Sequence, residues 1–426
     1  MKFLKGSRDE FEKLKDESSW EDKADIIQRQ MAEVFGAKNL SFLMGSGCSS
    51  LRNGDDELGI STMTFLAEEF QSLLATEPAN DGKEVFVSPT QKAELHDKLG
   101  IDLSADDVKG NLERMMEVLI NAHHFCKISD KNELSSVATL VDQIIAGIKK
   151  FVLYKCTTGP FSNGDESVVA HYRRFYQSLA TRSRGLAPPW VFTTNYDLFN
   201  ERAMDRSGIP YSNGFSGTVE RRFNPATYRL ALAEQLDITS RRWAAVDGFV
   251  HFCKLHGSVN WTEEEKGLFP IRESHTPLDP STDRVMIYPT PSKQTASFGS
   301  PYSDMFREFQ RQVVQDQSVL IIMGYSFGDE HVNNIIFQGL TLPSFRLIAF
   351  IDPETNDITR ELAALGDPRV WFVWGEGKKA DQKAHYFDGI VNHLMPTSAD
   401  QEIDQTIEKA LQTLLVKQQD RENGEG

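Results

Sequence analysis

The sequence predicts an α/β protein: a mostly parallel, Rossmann-like sheet with helices on both faces and a helical insertion. Two observations carry this. Short, continuously apolar runs end in Gly/Ser or polar turns and are separated by segments of helical period, as in parallel sheets buried on both faces. Between about residues 58 and 186 strand signals are scarce and helical periodicity takes over.

The elements follow in order. Residues 8–35 place Phe11, Leu14, Trp20, Ile26, Ile27, Met31, Val34 and Phe35 at amphipathic helical spacing, and Gly36 stops the run. Leu40–Met44 reads as a buried strand entering the turn Gly45-Ser46-Gly47-Cys48-Ser49-Ser50. Helices are expected near Ser61–Ala75, Ala105–Lys127, Glu133–Tyr154 and Glu166–Ser183; Leu112, Met115, Met116, Leu119 and Ile120 show the spacing. Strand-like runs return at Pro189–Thr194, Phe249–Leu255, Arg284–Tyr288, Ser318–Met323, Arg346–Asp352 and Val370–Val373. An amphipathic helix is expected over 399–419, from Ile403, Ile407, Ala410, Leu411, Leu414 and Leu415. The organisation this implies is an N-terminal helical segment (1–35), a main α/β domain (36–395) holding an insertion at about 58–186, and a helical tail (396–426).

Composition narrows the function. With 426 residues, 40% hydrophobic and 25% charged, the chain is neither disordered nor collagenous. Lys+Arg number 46 against 62 Asp+Glu, a net charge of −16; such a surface does not bind nucleic acid directly. Cysteines 48, 126, 156 and 253 form no CxxC and no zinc-ribbon spacing. With no apolar signal stretch and no run of ~18 apolar residues, a cytoplasmic, membrane-free protein is expected.

Four segments carry chemistry. Gly45, Ser46 and Gly47 close a strand, where glycine lets a ligand approach backbone amides suited to an anion; position 50 is Ser, so the third glycine of a GxGxxG is missing, and a plain tight turn is an equal reading. Thr194-Asn195-Tyr196-Asp197 ends another strand, where Asn195 can hold a sugar hydroxyl or a water and Asp197 can cap the helix after it. His256, followed by Gly257-Ser258, suits proton transfer near neutrality, although a lone histidine is more often structural. His251, Cys253 and His256 make a poor metal set, because strand alternation separates them. Gly324-Tyr325-Ser326, within Gly324-Tyr325-Ser326-Phe327-Gly328-Asp329-Glu330-His331, is a second phosphate or ribose cradle, and Asp352 ends the next strand as a ribose acceptor or an ordinary Asp-Pro turn.

In this order the segments resemble the sirtuin family. Gly45-Ser46-Gly47-Cys48-Ser49 is similar to its GAGxS-type loop, Thr194-Asn195-Tyr196-Asp197 to its TQNID-type segment, His256-Gly257 to its catalytic His-Gly, Gly324-Tyr325-Ser326 to its GTS-type loop, and Asp352 to its ribose-binding strand end. The wording is closest to sirtuin-like domains of bacterial phage-defence systems. The resemblance implies NAD⁺ as substrate, with His256 and Asn195 catalytic and Gly45, Ser46, Gly47, Ser49, Thr194, Asp197, Gly324, Ser326 and Asp352 binding the dinucleotide. Thr194 stands where deacylases usually carry Gln, and no cysteine lies between His256 and Gly324, so their four-cysteine zinc ribbon has no counterpart. The resemblance therefore implies an NAD⁺ hydrolase effector of abortive infection, without zinc, forming a homo-oligomer controlled by a HerA-type hexameric ATPase. The alternatives are a protein deacylase and a non-catalytic NAD⁺ or ADP-ribose-binding module.

Overall fold

The computed structural model describes residues 1–14, 18–54, 56–74, 85–129, 132–183, 185–237, 242–264, 270–275, 278, 285–287, 301–379 and 382–397. The chain opens with hairpin β1 (Lys2–Lys5) and β2 (Arg8–Asp9), then helix α1 (Trp20–Phe35) and strand β3 (Asn39–Met44). A small hairpin, β4 (Arg52–Asn53) and β5 (Asp56–Glu57), leads into α2 (Met63–Leu74), α3 (Pro89–Leu99), α4 (Asp106–Lys109), α5 (Leu112–Ile128), α6 (Asn132–Thr157) and α7 (Ser167–Leu179). Then come β6 (Trp190–Thr193), α8 (Phe199–Ser207), β7 (Tyr211–Ser212), β8 (Phe215–Ser216), β9 (Arg221–Phe223), β10 (Ala233–Asp237), β11 (Arg242–Ala245), β12 (Val250–Lys254), β13 (Gly257–Glu263), β14 (Ile271–Glu273) and β15 (Val285–Ile287). Strands β16 (Ser318–Met323), β17 (Arg346–Phe350) and β18 (Val370–Trp374) alternate with helices Tyr302–Val313, Glu330–Leu340 and Asp357–Ala364.

The main sheet runs β2-β1-β18-β17-β16-β3-β6-β12-β7. Its six central strands are parallel. Numbered by their order in the chain, they lie across the sheet as 3-2-1-4-5-6, the doubly wound order. The direction of winding reverses between β3 and β16, so a crevice opens past their carboxyl ends.

Side-chain alternation divides the core. Phe42, Met44, Val191, Phe252, Ile321 and Met323 join an apolar cluster that includes α1, α7 and the helices of the insertion. Leu43, Phe192, Cys253, Leu320 and Ile322 point to a second cluster with the Tyr302–Val313 and Glu330–Leu340 helices. Fully buried Phe42 meets Phe35 and Phe175 edge-on, at ring distances of 5.9 and 5.0 Å. Helix α1 begins in a capping box between Ser19 and Asp22 and buries Ala24, Ile27, Met31, Val34 and Phe35.

Three expectations need correction. The helix expected from residue 8 begins at Trp20; β1 instead pairs antiparallel with β18, Phe3 opposite Val373, and Phe3 packs 5.7 Å from the Trp371 ring. The run Arg284–Tyr288 contributes Val285–Ile287, which pairs antiparallel with β13 in a separate five-stranded sheet, not in the parallel one. Helix α3, with its Ser88/Gln91 capping box, was not foreseen. The tail helix expected over 399–419 lies outside the described residues.

The turns after β3 and β16 pack directly on each other. Gly45 N–H donates to Met323 O (3.0 Å) and Gly47 N–H to Gly324 O (2.9 Å). A methyl on Gly324, whose φ is +62°, would stand 2.5 Å from the Cys48 amide nitrogen; one on Gly45 would stand 2.4 Å from Gly324 O. Gly324→Ala is therefore expected to cost about 1–3 kcal/mol, combining left-handed strain with a backbone clash. Gly328→Ala, whose added carbon meets only Ser326 Oγ at 3.7 Å, is expected to leave the unfolding midpoint within a degree or two. Calorimetric midpoints of the two variants check this, and equal values would show that the loops do not meet as described.

Candidate active site

Carboxyl ends of four neighbouring strands converge on one pocket. Its walls include Ser46 and Ser49 after β3, Thr194–Asp197 after β6, His256 after β12, and Gly324–Ser326, Gly328 and Asp329 after β16. The insertion closes the far side with Met63 and Leu66 of α2, Asn111 and Glu113 at the start of α5, and Val152 and Cys156 of α6. His256 reaches the sheet edge because β12 leaves the main sheet at Lys254, turns through Leu255 and His256, and continues as β13 of the five-stranded sheet.

Behind this surface lies a hydrogen-bond network of definite polarity. Ser49 Oγ donates to Asp197 Oδ2 (2.6 Å) and accepts from Asn195 Nδ2 (2.9 Å). A hydroxyl has one proton, so Tyr172 Oη, 3.0 Å away, must donate to Ser49. Asn195 Nδ2 also donates to Gly45 O (2.9 Å), and the Asn195 amide donates to Thr193 Oγ1 (3.0 Å). Both amino protons of Asn195 are thus committed, which leaves its carbonyl oxygen as the group that can accept from a bound hydroxyl or water. Asp197 Oδ1 accepts from the Phe199 amide (3.0 Å), an Asx turn leading into α8, whose N-cap position is Leu198 and carries no side-chain cap bond.

Beneath the Tyr196–Asp197 turn sits Lys254, 2% exposed. Its ammonium donates to Glu201 Oε1 (2.9 Å), Ser258 Oγ (3.0 Å) and the Asp197 carbonyl. Burial pushes the Glu201 carboxyl up against the pull of Lys254. This pair ties the β6 turn to β12 and hence to His256.

His256 is the imidazole among the described lining residues and is buried. Its Nε2 lies 2.7 Å from Asp329 Oδ2 and its Nδ1 3.6 Å from Glu113 Oε1. Neither ring nitrogen makes a well-directed hydrogen bond among the described residues, so charge is what holds the ring between the carboxylates. Burial disfavours the imidazolium, but the contacts with Asp329 and Glu113 outweigh it and raise the pKa to about 10. Burial likewise opposes ionisation of Asp329, yet His256 and the His331 and Val332 amides bring it down to about 2.

The sequence-derived residues do not all meet in this pocket. Ser46, Ser49, Thr194, Asn195, Asp197, His256, Gly324 and Ser326 line it. Gly45 and Gly47 lie behind it, where they serve the packing of the two turns. The amides of Gly45, Gly47, Cys48 and Ser49 already donate to Met323, Gly324, Gly45 and Ser46 carbonyls, so this turn does not present the open row of donors expected of an anion cradle. Asp352 caps the short turn Pro353–Thr355 by accepting from the Glu354 amide (3.0 Å) and stands outside the lining. His251 stacks on Trp190 (4.4 Å), with its pKa lowered to about 4 by burial and by Arg311; Cys253 faces the second core cluster. Among the described residues no group of three His, Cys, Asp or Glu side chains is placed to hold a metal ion. Glu113, Asp329, Lys254 and Tyr172 are additions. Only Asp329 had a sequence signal, its place after Gly328 at the start of a helix; Glu113 belongs to a helix about 140 residues before His256 and had none.

Residues 189–382 match the family model of the SIR2-like domain. This supports a sirtuin-like domain over that stretch, which holds β6, His256 and the β16 turn but begins after the β3 turn and the insertion. No curated protein matches the chain. No helix among the described residues is long and apolar enough to cross a membrane.

Lys254→Met would strand the Glu201 carboxylate and is expected to cost about 3–5 kcal/mol in urea unfolding, with most of the loss recovered in Lys254→Met/Glu201→Leu; a single variant as stable as the wild type would contradict the pairing. The His256–Asp329 pair sets a pH window. A histidine raised from 6.5 to about 10 contributes its full stabilisation below pH 6.5 and loses it as pH rises towards 10. An aspartate lowered from 3.8 to about 2 contributes above pH 3.8 and loses it as pH falls towards 2. The gap in thermal midpoint between wild type and His256→Gln should thus be widest between pH 4 and 6.5 and shrink towards pH 10. A gap constant from pH 6 to 10 would mean that the folded protein holds His256 uncharged.

Proposed function

We propose that the protein is an NAD⁺ glycohydrolase, converting NAD⁺ and water to nicotinamide, ADP-ribose and a proton. The observation that carries the proposal is the meeting of Asn195, His256 and the Gly324–Ser326 turn in one pocket at the switch point of a doubly wound sheet, joined to the SIR2-like match over residues 189–382. Dinucleotides lie across that point in such sheets.

The chemistry asks little of the protein beyond positioning. Nicotinamide leaves as a neutral molecule from a cationic ring, and the ribose passes through an oxocarbenium-like state. The described lining contains no Lys or Arg, while Glu113 and Asp329 face the pocket; such walls favour the cationic nicotinamide end of the substrate. Asn195 Oδ1 holds the attacking water or a ribose hydroxyl, and His256 takes the proton released when water adds. Thr194 and Ser326 border the riboses. A deacylase reading is weaker, since the sequence offers no cysteines for the zinc ribbon of classical deacylases between His256 and Gly324.

An enzyme that consumes NAD⁺ harms its own cell unless restrained. The proposal therefore includes an anti-phage effector role in the cytoplasm, assembly into a homo-oligomer, and control by a HerA-type ATPase. Purified protein incubated with NAD⁺, alone and with a co-expressed ATPase, should release nicotinamide and ADP-ribose in a chromatographic assay. His256→Ala and Asn195→Ala should each lower turnover by about 10²–10⁴-fold. Full turnover in either variant would remove that residue from the mechanism, and acyl-lysine-dependent formation of O-acyl-ADP-ribose would replace hydrolysis by deacylation.

A further inference from the structure

We propose that Asp329 and Glu113 are positioning residues that hold the His256 ring between two carboxylates as an imidazolium, Asp329 as the fixed arm and Glu113 as the arm a ligand displaces. The two arms differ in anchoring. Asp329 caps the Glu330–Leu340 helix: its Oδ1 accepts from the His331 and Val332 amides (2.8 and 3.1 Å), and its own amide donates to Tyr325 Oη (3.2 Å). Only Oδ2 is left, and it faces Nε2 at 2.7 Å with the side chain 16% exposed. Glu113 sits one residue inside α5 after its cap Asn111 and is 38% exposed. It accepts from Tyr196 Oη (3.2 Å) and faces Nδ1 at the longer distance of 3.6 Å.

Among the described residues, the other ring neighbours of His256 are uncharged aromatics. The Tyr196 ring lies 6.4 Å away and the Phe306 ring 6.5 Å. A buried imidazole with a carboxylate against each nitrogen keeps both protons, consistent with the raised pKa. In this state His256 donates and cannot accept. A hydroxyl-bearing ligand that separates Glu113 from Nδ1 leaves one carboxylate, which orients the ring through Nε2 and lets Nδ1 lose its proton at lower pH. Glu113 comes from the helical insertion, so the insertion is a working wall of the site and any partner that moves the start of α5 would reach His256 through it.

The protonation state is independent of the proposed hydrolysis; only its catalytic consequence rests on that reading. The full chain, labelled with ¹⁵N-histidine, can be followed by long-range ¹H–¹⁵N correlation from pH 6 to 10, with His256→Gln for assignment and circular dichroism to confirm folding of each variant. The expected result is a doubly protonated His256 at pH 8 in the wild type. Its midpoint should fall by at least one pH unit in Glu113→Gln and further in Asp329→Asn. Where NAD⁺ is turned over, the acidic limb of kcat/KM should move to lower pH in Glu113→Gln, while Asp329→Asn lowers kcat more than it changes KM. A wild-type midpoint near 6.5, or one unmoved by both substitutions, would overturn the proposal. An NMR titration as expected in a chain that leaves NAD⁺ intact both alone and with the co-expressed ATPase would uphold the clamp and sink the hydrolase reading alone.

Discussion

The turns after β3 and β16 approach so closely that neither Gly45 nor Gly324 has room for a methyl group, and the site is built outward from that contact. The two strands are adjacent and parallel, and the sheet reverses its winding between them. Their turns therefore part above the sheet edge and leave a crevice. The Gly45 carbonyl, fixed by the contact, receives Asn195; Asn195 reaches Ser49, and Ser49 reaches Asp197. Each member spends its polar groups on the next, so Asn195 is held in place by a continuous chain of buried hydrogen bonds. Satisfied networks of this kind rigidify what they connect, because any break leaves a buried polar atom unpaired.

Charge is arranged with the same economy. Lys254 is buried under the Tyr196–Asp197 turn and paired with Glu201 Oε1 at 2.9 Å. On the pocket side the balance is negative, with Glu113 and Asp329 about a single imidazole. A wall of this sign favours a cationic group over an anionic one. Phe327 holds a left-handed φ of +59° between the β16 turn and Asp329 while only 2% exposed. Strain of that kind persists only where packing over-determines it, and here it orients the cap that touches His256.

Much of the architecture was legible in the chain because parallel strands buried on both faces leave continuous apolar runs. The runs that became β3, β6, β12, β16, β17 and β18 were all visible, with ends shifted by a residue or two. The errors fall where burial is one-sided or local pattern is ambiguous. Residues 2–9 are short, charged and alternating, and only the free edge of β18 makes them strand. Val285–Ile287 is apolar enough for the main sheet, but the chain had already left that sheet at His256.

The sequence by itself determined the sheet, the order of its polar strand ends, and the candidacy of Asn195 and His256, because these depend on period and on residue types at strand termini. Only the tertiary structure decided which partner each of them has. It packed Gly45 and Gly47 against the β16 turn, linked Ser49 and Asp197 in one hydrogen-bond network, gave Asp352 a bond to the Glu354 amide, and brought Glu113 from the insertion to His256. Hydrogen-bond polarity and charge pairing act over a few ångströms between residues far apart in the chain, and no local pattern encodes a distance of that kind.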